Sequence, residues 1–205
     1  MWRTRNSHPS AGTRRWPNVL AAACTVLAVL ALVGEGKALG AGQRARITYV
    51  FPVQPASAAR FGRYHHDYPA TDIFCPAGSR FVAPVSGVVD HVSFTDRWDP
   101  RSDDPATRGG LSVAILGDDG VRYYGAHLSS VAPGIVRGVR VTAGQLLGRT
   151  GKTGNARYTP PHLHFGISRP TYATDWQVRR GQVNPYVYLR AWAQGTALTP
   201  ALPGR

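Results

Sequence analysis

The 205-residue chain contains one glutamate, two lysines and two cysteines, and each scarcity excludes a class of chemistry. Glu35 is the only glutamate and lies near the N-terminus. The rest of the chain therefore cannot build the His-Glu-x-x-His helix, whose catalytic base is that glutamate. Cupin-type sites, which want a glutamate shortly after His-x-His, are disfavoured for the same reason. Cys24 sits inside an apolar leader, so Cys75 has no partner for an internal disulfide once that leader is removed. The apolar surroundings Ile73-Phe74-Cys75-Pro76 suit a small buried side chain better than a nucleophile. Gly151-Lys152-Thr153 imitates the end of a phosphate loop, but the glycine required at position 146 is Leu146. Long segments of helical periodicity are also missing.

What is present begins with a basic, then apolar, N-terminus. Arg3, Arg5, Arg14 and Arg15 precede an apolar run from Val19 to Val33. That run is shorter than the roughly 20 residues of a membrane span, and small residues (Ala38, Gly40, Ala41) follow it. Residues 1–41 thus read as a secretory signal peptide, with an uncleaved signal anchor as the alternative. Arg14-Arg15 has a poor continuation for a twin-arginine signal in Trp16-Pro17-Asn18. The expected location is secreted or cell envelope, outside the cytoplasmic membrane, with membrane contact only through this segment. Beyond residue 41 there remain 19 basic and 10 acidic residues. Such a surface favours anionic partners, and outside a cell these are wall polymers and lipid headgroups rather than nucleic acid.

Residues 42–64 read as an extended lead-in containing Pro52 and Pro55. Short apolar segments broken by Gly and Pro follow: Phe81–Val89, Leu111–Leu116, Val121–Ala126, Val139–Val141 and Leu163–Ile167. They predict an all-β fold, an antiparallel sheet core with groove-forming loops, for residues 65–192. The loop Thr95–Gly110, rich in aspartate, is long enough to form a functional rim. Asn184-Pro185 predicts the start of a short C-terminal helix over Tyr186–Trp192. Residues 193–205, with Pro200, Pro203 and Gly204, read as a flexible tail.

Five of the seven histidines fall in three clusters: His65-His66, His127, and His162 with His164. Residues two apart on a strand point the same way, so His162 and His164 share one face. Leu163, Phe165 and Ile167 take the other, the core face. His66 and Asp72 can add a nitrogen and an oxygen donor. Two imidazoles, one carboxylate and one open position describe a hydrolytic Zn2+ site. With no glutamate at hand, spare histidines are the natural candidates for the base.

These segments, in this order, resemble the lysostaphin-type (LytM-like) peptidoglycan endopeptidases across roughly residues 50–190. The resemblance rests on His66…Asp72-Ile73, Ala83-Pro84-Val85-Ser86-Gly87-Val88-Val89, Tyr124-Gly125-Ala126-His127-Leu128, the glycine-rich Gly144–Gly154, His162-Leu163-His164-Phe165 and Asn184-Pro185. It implies a zinc metalloendopeptidase that cuts peptidoglycan. His66, Asp72 and His164 would hold zinc, and His127 and His162 would lie beside the reacting water and carbonyl. Two spacings depart from the family. Five residues rather than three separate His66 from Asp72, which keeps His65 open as the alternative ligand. Two residues rather than one separate Tyr124 from His127. The rival function is a non-catalytic wall-binding module that activates another hydrolase, as in relatives that have lost ligands.

Overall fold

Segments with apolar residues at every second position pair side by side in the computed structural model, which describes residues 46–204. The expected leader at 1–41 and the first residues of the lead-in lie outside the described residues. Ten strands form in chain order: β1 Val53–Gln54, β2 Arg60–Phe61, β3 Thr71–Phe74, β4 Arg80–Val82, β5 Gly87–Ser93, β6 Leu111–Gly117, β7 Arg122–Val131, β8 Arg140–Val141, β9 Leu146–Thr150 and β10 His162–Ser168. Two helices follow, α1 Trp176–Arg179 and α2 Tyr186–Ala193. The fold is all-β, as the sequence predicts. No helix among the described residues is long and apolar enough to cross a membrane.

All the pairings are antiparallel, along the path β1-β4-β9-β7-β10-β3-β2, with β6 on β7, β5 on β6 and β8 on β5. The ten-residue strand β7 is the pivot. Its first half pairs with β10 (His164 opposite Ala126), and its last residues pair with β9 (Leu128 opposite Thr150). The sheet forks where one neighbour gives way to the other, and His127 lies at the fork.

One face of β10 sends Leu163, Phe165 and Ile167 into the core, each fully buried, beside Phe81, Ile115, Leu128 and Leu147. Each such side chain contributes about 1.5–3 kcal/mol. That anchorage keeps His162 and His164 on the opposite face, as alternation requires. Gly125 permits the packing, because an added Cβ would collide with the Phe81 ring.

Some boundaries differ from the sequence reading. Phe81–Val89 is two strands, since Ala83-Pro84 carries the chain away from β9 and the proline nitrogen cannot donate to a ladder. β3, β9 and α1 were not expected; four or five residues leave too little periodicity to read. At α2, Pro185 occupies the N-cap position and the Asn184 side chain accepts from the Tyr186 N–H at 3.0 Å. The segment after α2 is irregular but tied down: the Leu198 carbonyl accepts from the Trp192 indole at 3.0 Å, and the Ala201 N–H donates to the Tyr188 hydroxyl at 3.0 Å. Tyr49 stacks on Trp192 with ring centroids 5.2 Å apart and hydrogen-bonds Thr199 at 3.0 Å.

Candidate metal and catalytic site

Two opposed strands build the centre. Asp72 on β3 lies directly across from His164 on β10, and the His164 Nδ1 is 3.0 Å from the Asp72 Oδ1. The His65 Nε2, from the loop before β3, is 3.8 Å from the same oxygen. His65, Asp72 and His164 offer donor atoms all within 4.8 Å of one another. The structure brings His65, not His66, to this group. Neighbouring residues on an extended loop point opposite ways; His65 packs on Tyr68 and His164 at 4.4 and 5.0 Å between centroids, while the His66 side chain is 93% exposed.

The group suits a cation. The His164 Nε2 is 3.0 Å from the Arg180 carbonyl, which can only accept, so that nitrogen carries the proton. Nδ1 faces a carboxylate 3.0 Å away, a contact that is satisfied either by a second proton on the ring or by a cation between the two. The His65 Nδ1 is buried without a hydrogen-bond partner. Two imidazoles and a carboxylate are donors of the type that zinc prefers.

Two further histidines face the same space. The His162 Nδ1 lies 2.9 Å from the Pro160 carbonyl and the His127 Nδ1 lies 2.8 Å from the Thr153 carbonyl. Both rings therefore carry their proton on Nδ1 and present the Nε2 lone pair. The His162 Nε2 is 3.9 Å from the Asp72 Oδ1, and the His127 and His162 rings are 4.9 Å apart.

His127 reaches the cavity through a break in the strand. Opposite β6, the register shifts so that Ala126 and His127 together face Ser112, a β-bulge. His127 has φ +63°, rare for a residue with a side chain. Strict alternation would send His127 away from the face that carries Tyr124 and Ala126. The bulge turns it back, so all three line the cavity. The same bulge accommodates the extra residue in Tyr124-Gly125-Ala126-His127. Thr153 holds the result in place: its carbonyl takes the His127 proton, its hydroxyl donates to the Leu128 carbonyl at 2.7 Å, and it accepts from the Leu111 N–H at 3.0 Å.

The cavity measures about 500 Å³ and includes His65, Asp72, His127, His162 and His164. Loop 95–110 walls one side through Pro105, Ala106, Arg108 and Gly109. That loop is braced by Asp103, which accepts from the Trp98 indole and the Arg108 guanidinium. Burial pushes the Asp72 carboxyl upward, but the His164 hydrogen bond and the charges of His164, His162 and His65 prevail and hold it at about 2. Burial, with the charges of His164 and His162, lowers His127 to about 3. Burial and then the His164 charge also lower His65.

Asp72, His127, His162 and His164, named from the sequence, line one cavity. Sequence reasoning does not reach the residues that orient them: Thr153, Tyr68 and Arg180. Thr153 stood within the false phosphate loop and the glycine-rich turn, and nothing in its spacing marks it as a partner of His127. Gly166 is equally silent. A Cβ there would lie 2.7 Å from the Arg180 carbonyl carbon, so glycine lets the Arg180 carbonyl reach His164.

The profile described as Peptidase family M23 matches residues 66–185. An L-Ala–D-Glu endopeptidase of Bacillus subtilis (strain 168) is 32% identical over 136 residues, 64% of this chain and 36% of the relative. The chain thus spans about a third of that relative's length. A candidate glycyl-glycine endopeptidase LytM from Ruminococcus gnavus shares 24% identity over 73% of this chain and 62% of its own, with a TM-score of 0.55. Lysostaphin from Staphylococcus simulans shares 24% over 70% and 54%, with a TM-score of 0.50. At these identities the structural likeness is one of fold.

Proposed function

The chain belongs to peptidase family M23, and from that premise we propose that it is a zinc metalloendopeptidase that hydrolyses peptide bonds of bacterial peptidoglycan. One observation carries the reading: His65, Asp72, His127, His162 and His164 converge on a single cavity, and two of those histidines are held in the tautomer a base requires. The B. subtilis relative is named for a bond between L-Ala and D-Glu, which points to the peptide stems of the wall as the substrate class. The basic surface and the leader-like residues 1–41 support action outside the cytoplasmic membrane, where that polymer lies.

The His65 Nε2, the Asp72 Oδ1 and the His164 Nδ1 would hold the zinc. When bound, it supplies a Lewis acid for the scissile carbonyl and a lowered pKa for water. Asp72, kept ionised by its histidine neighbours, contributes the negative charge of the donor set. The His162 Nε2, nearest the Asp72 oxygen, takes the proton of the attacking water. The Pro160 carbonyl then stabilises the charge through Nδ1–H. The hydroxyl oxygen joins the carbonyl carbon, the C–N bond breaks, and the proton goes to the leaving amine. The His162 Nε2–H makes that delivery, while His127, with its own proton on Nδ1, offers its Nε2 lone pair as an acceptor to the N–H of the departing amine.

The test is release of new amino groups from purified peptidoglycan by the full chain, with zinc content measured in each preparation. His162→Ala should keep its zinc and lose activity by about 10²–10⁴-fold, the usual contribution of a general base. Retention of both zinc and full activity in that variant would remove the mechanism. Zinc binding without any new amino groups from the wild type would favour the wall-binding activator instead.

A further inference from the structure

A second cavity of about 380 Å³ adjoins the first and shares Ala106, Trp176 and Arg179 with it. No role assigned to the catalytic residues uses it. Its charge is one-sided. Arg137, His91 and Arg179 line it, and the single carboxylate in its wall, Asp90, is taken up by the Arg122 guanidinium at 2.7 Å. Arg122 is fully buried, and its other nitrogens are occupied by Thr171. Among the described residues, neither Arg137 nor Arg179 has a carboxylate within ion-pair distance.

Arg179 is the informative residue. It is 7% exposed, its Nη1 donates to the Ala173 carbonyl, and its Nε has no hydrogen-bond partner. Buried guanidinium groups are normally paired, because removing the charge from water costs several kcal/mol. Here no side chain among the described residues supplies the counter-charge, and the group lies in the wall between the two cavities. Its guanidinium carbon is 5.5 Å from the Tyr124 ring centre, and that ring is 6.2 Å from the His164 ring. The field is felt by His91, which burial first and then Arg179, Arg122 and Arg137 depress to about 4, so the imidazole offers no competing positive charge at neutral pH.

We propose that this annex binds a carboxylate of the peptide substrate, on the residue at the scissile bond or one beyond it, and that Arg179 and Arg137 thereby select which stem peptides are cut. A planar guanidinium with free N–H groups matches a carboxylate in shape and charge. One side chain, Tyr124, separates Arg179 from His164 of the hydrolytic centre, and a peptide advances about 3.3–3.6 Å per residue. The acidic group must therefore lie close to the cleaved bond. The inference rests on the peptidase reading of the first cavity.

The experiment compares two synthetic stem peptides that differ at one group. Each carries a D-glutamyl residue after L-Ala, with its α-carboxylate free in one and amidated in the other. With the full chain, kcat/KM should favour the free carboxylate by about tenfold or more, the scale of a charge-assisted hydrogen bond. Arg137→Gln and Arg179→Gln should each reduce that preference to below about threefold, chiefly through KM, while the distant Arg80→Gln keeps it. Arg137 is exposed, so its variant reads the annex even if the buried Arg179 proves necessary for folding. Binding of both stems to His162→Ala, by calorimetry, reads the annex without turnover. Preference for the free carboxylate there supports the proposal even if the wild type hydrolyses neither stem, an outcome that would defeat only the peptidase reading. Equal binding of the two stems overturns the proposal. So does equal binding combined with displacement by inorganic phosphate, which would assign the annex to a phosphate-bearing wall polymer.

Discussion

Replacing His65 and replacing His66 with alanine should have opposite consequences, although the two residues are adjacent. The His65 Nε2 is 3.8 Å from the Asp72 Oδ1 inside the donor group, whereas the His66 side chain is 93% exposed at the rim. Residues that merely orient a ligand typically change metal affinity 10–100-fold, so loss of a direct donor should cost at least about 100-fold. The assay is thermal unfolding in the presence of zinc, held at about 100 times the wild-type Kd. Ligand linkage then stabilises the wild type by about 2.7 kcal/mol. For a domain of this size that corresponds to roughly 5–11 °C. His66→Ala should show the same shift. His65→Ala, with affinity lowered about 100-fold, should gain only about 0.4 kcal/mol, or about 1 °C. Each variant is compared with its own zinc-free form, because His65→Ala also removes ring packing on Tyr68 and His164. A full zinc shift in His65→Ala, together with its loss in His66→Ala, would refute the assignment and the geometry behind it.

Two further outcomes follow from the structure. His91 has its usual value of 6.5 lowered to about 4, so between these pH values the unfolded chain binds a proton that the folded one does not. Its contribution is complete above pH 6.5 and is lost as the pH falls toward 4, by about 2–3 kcal/mol after allowance for partial exposure. Urea unfolding at pH 7 and pH 4 should therefore show a smaller loss in His91→Gln than in the wild type, and parallel losses would contradict this. Gly166→Ala should push the Arg180 carbonyl off the His164 Nε2 and weaken zinc binding about 10–100-fold, read by metal titration of protein with an unchanged circular dichroism spectrum. Undiminished affinity would show that the carbonyl does not orient the ring.

The sheet and much of its site were legible before any coordinates because both rest on alternation. Leu163, Phe165 and Ile167 announce a buried face, and His162 and His164 must then occupy the other. Order along the chain tied these to Asp72 and His127. What alternation cannot express was misread or missed. A loop has no period, so the choice between His65 and His66 fell to spacing alone, and spacing gave His66. A bulge suspends the period, so the turn of His127 into the cavity could not be read from Tyr124-Gly125-Ala126-His127. The annex depends on Arg179, which is held by a four-residue helix too short to leave a pattern, and on Arg137, one of 22 arginines with nothing local to distinguish it.

The stacking of Tyr49 on Trp192, with its bond to Thr199, joins the first and last parts of the described domain. The described domain is thus closed on itself a few residues inside each of its ends. Closing a loop costs free energy that grows only slowly with its length, so a domain with its ends already together can be spliced into a surface loop of a host protein at little entropic expense. The same stitch places the ring pair Tyr49–Trp192 outside the strand network, where it acts as a clasp. A circular permutant joined across residues 46 and 204 with a linker would carry this fold with new ends, opened at a surface turn such as that at Gly134, without disturbing the fork at β7.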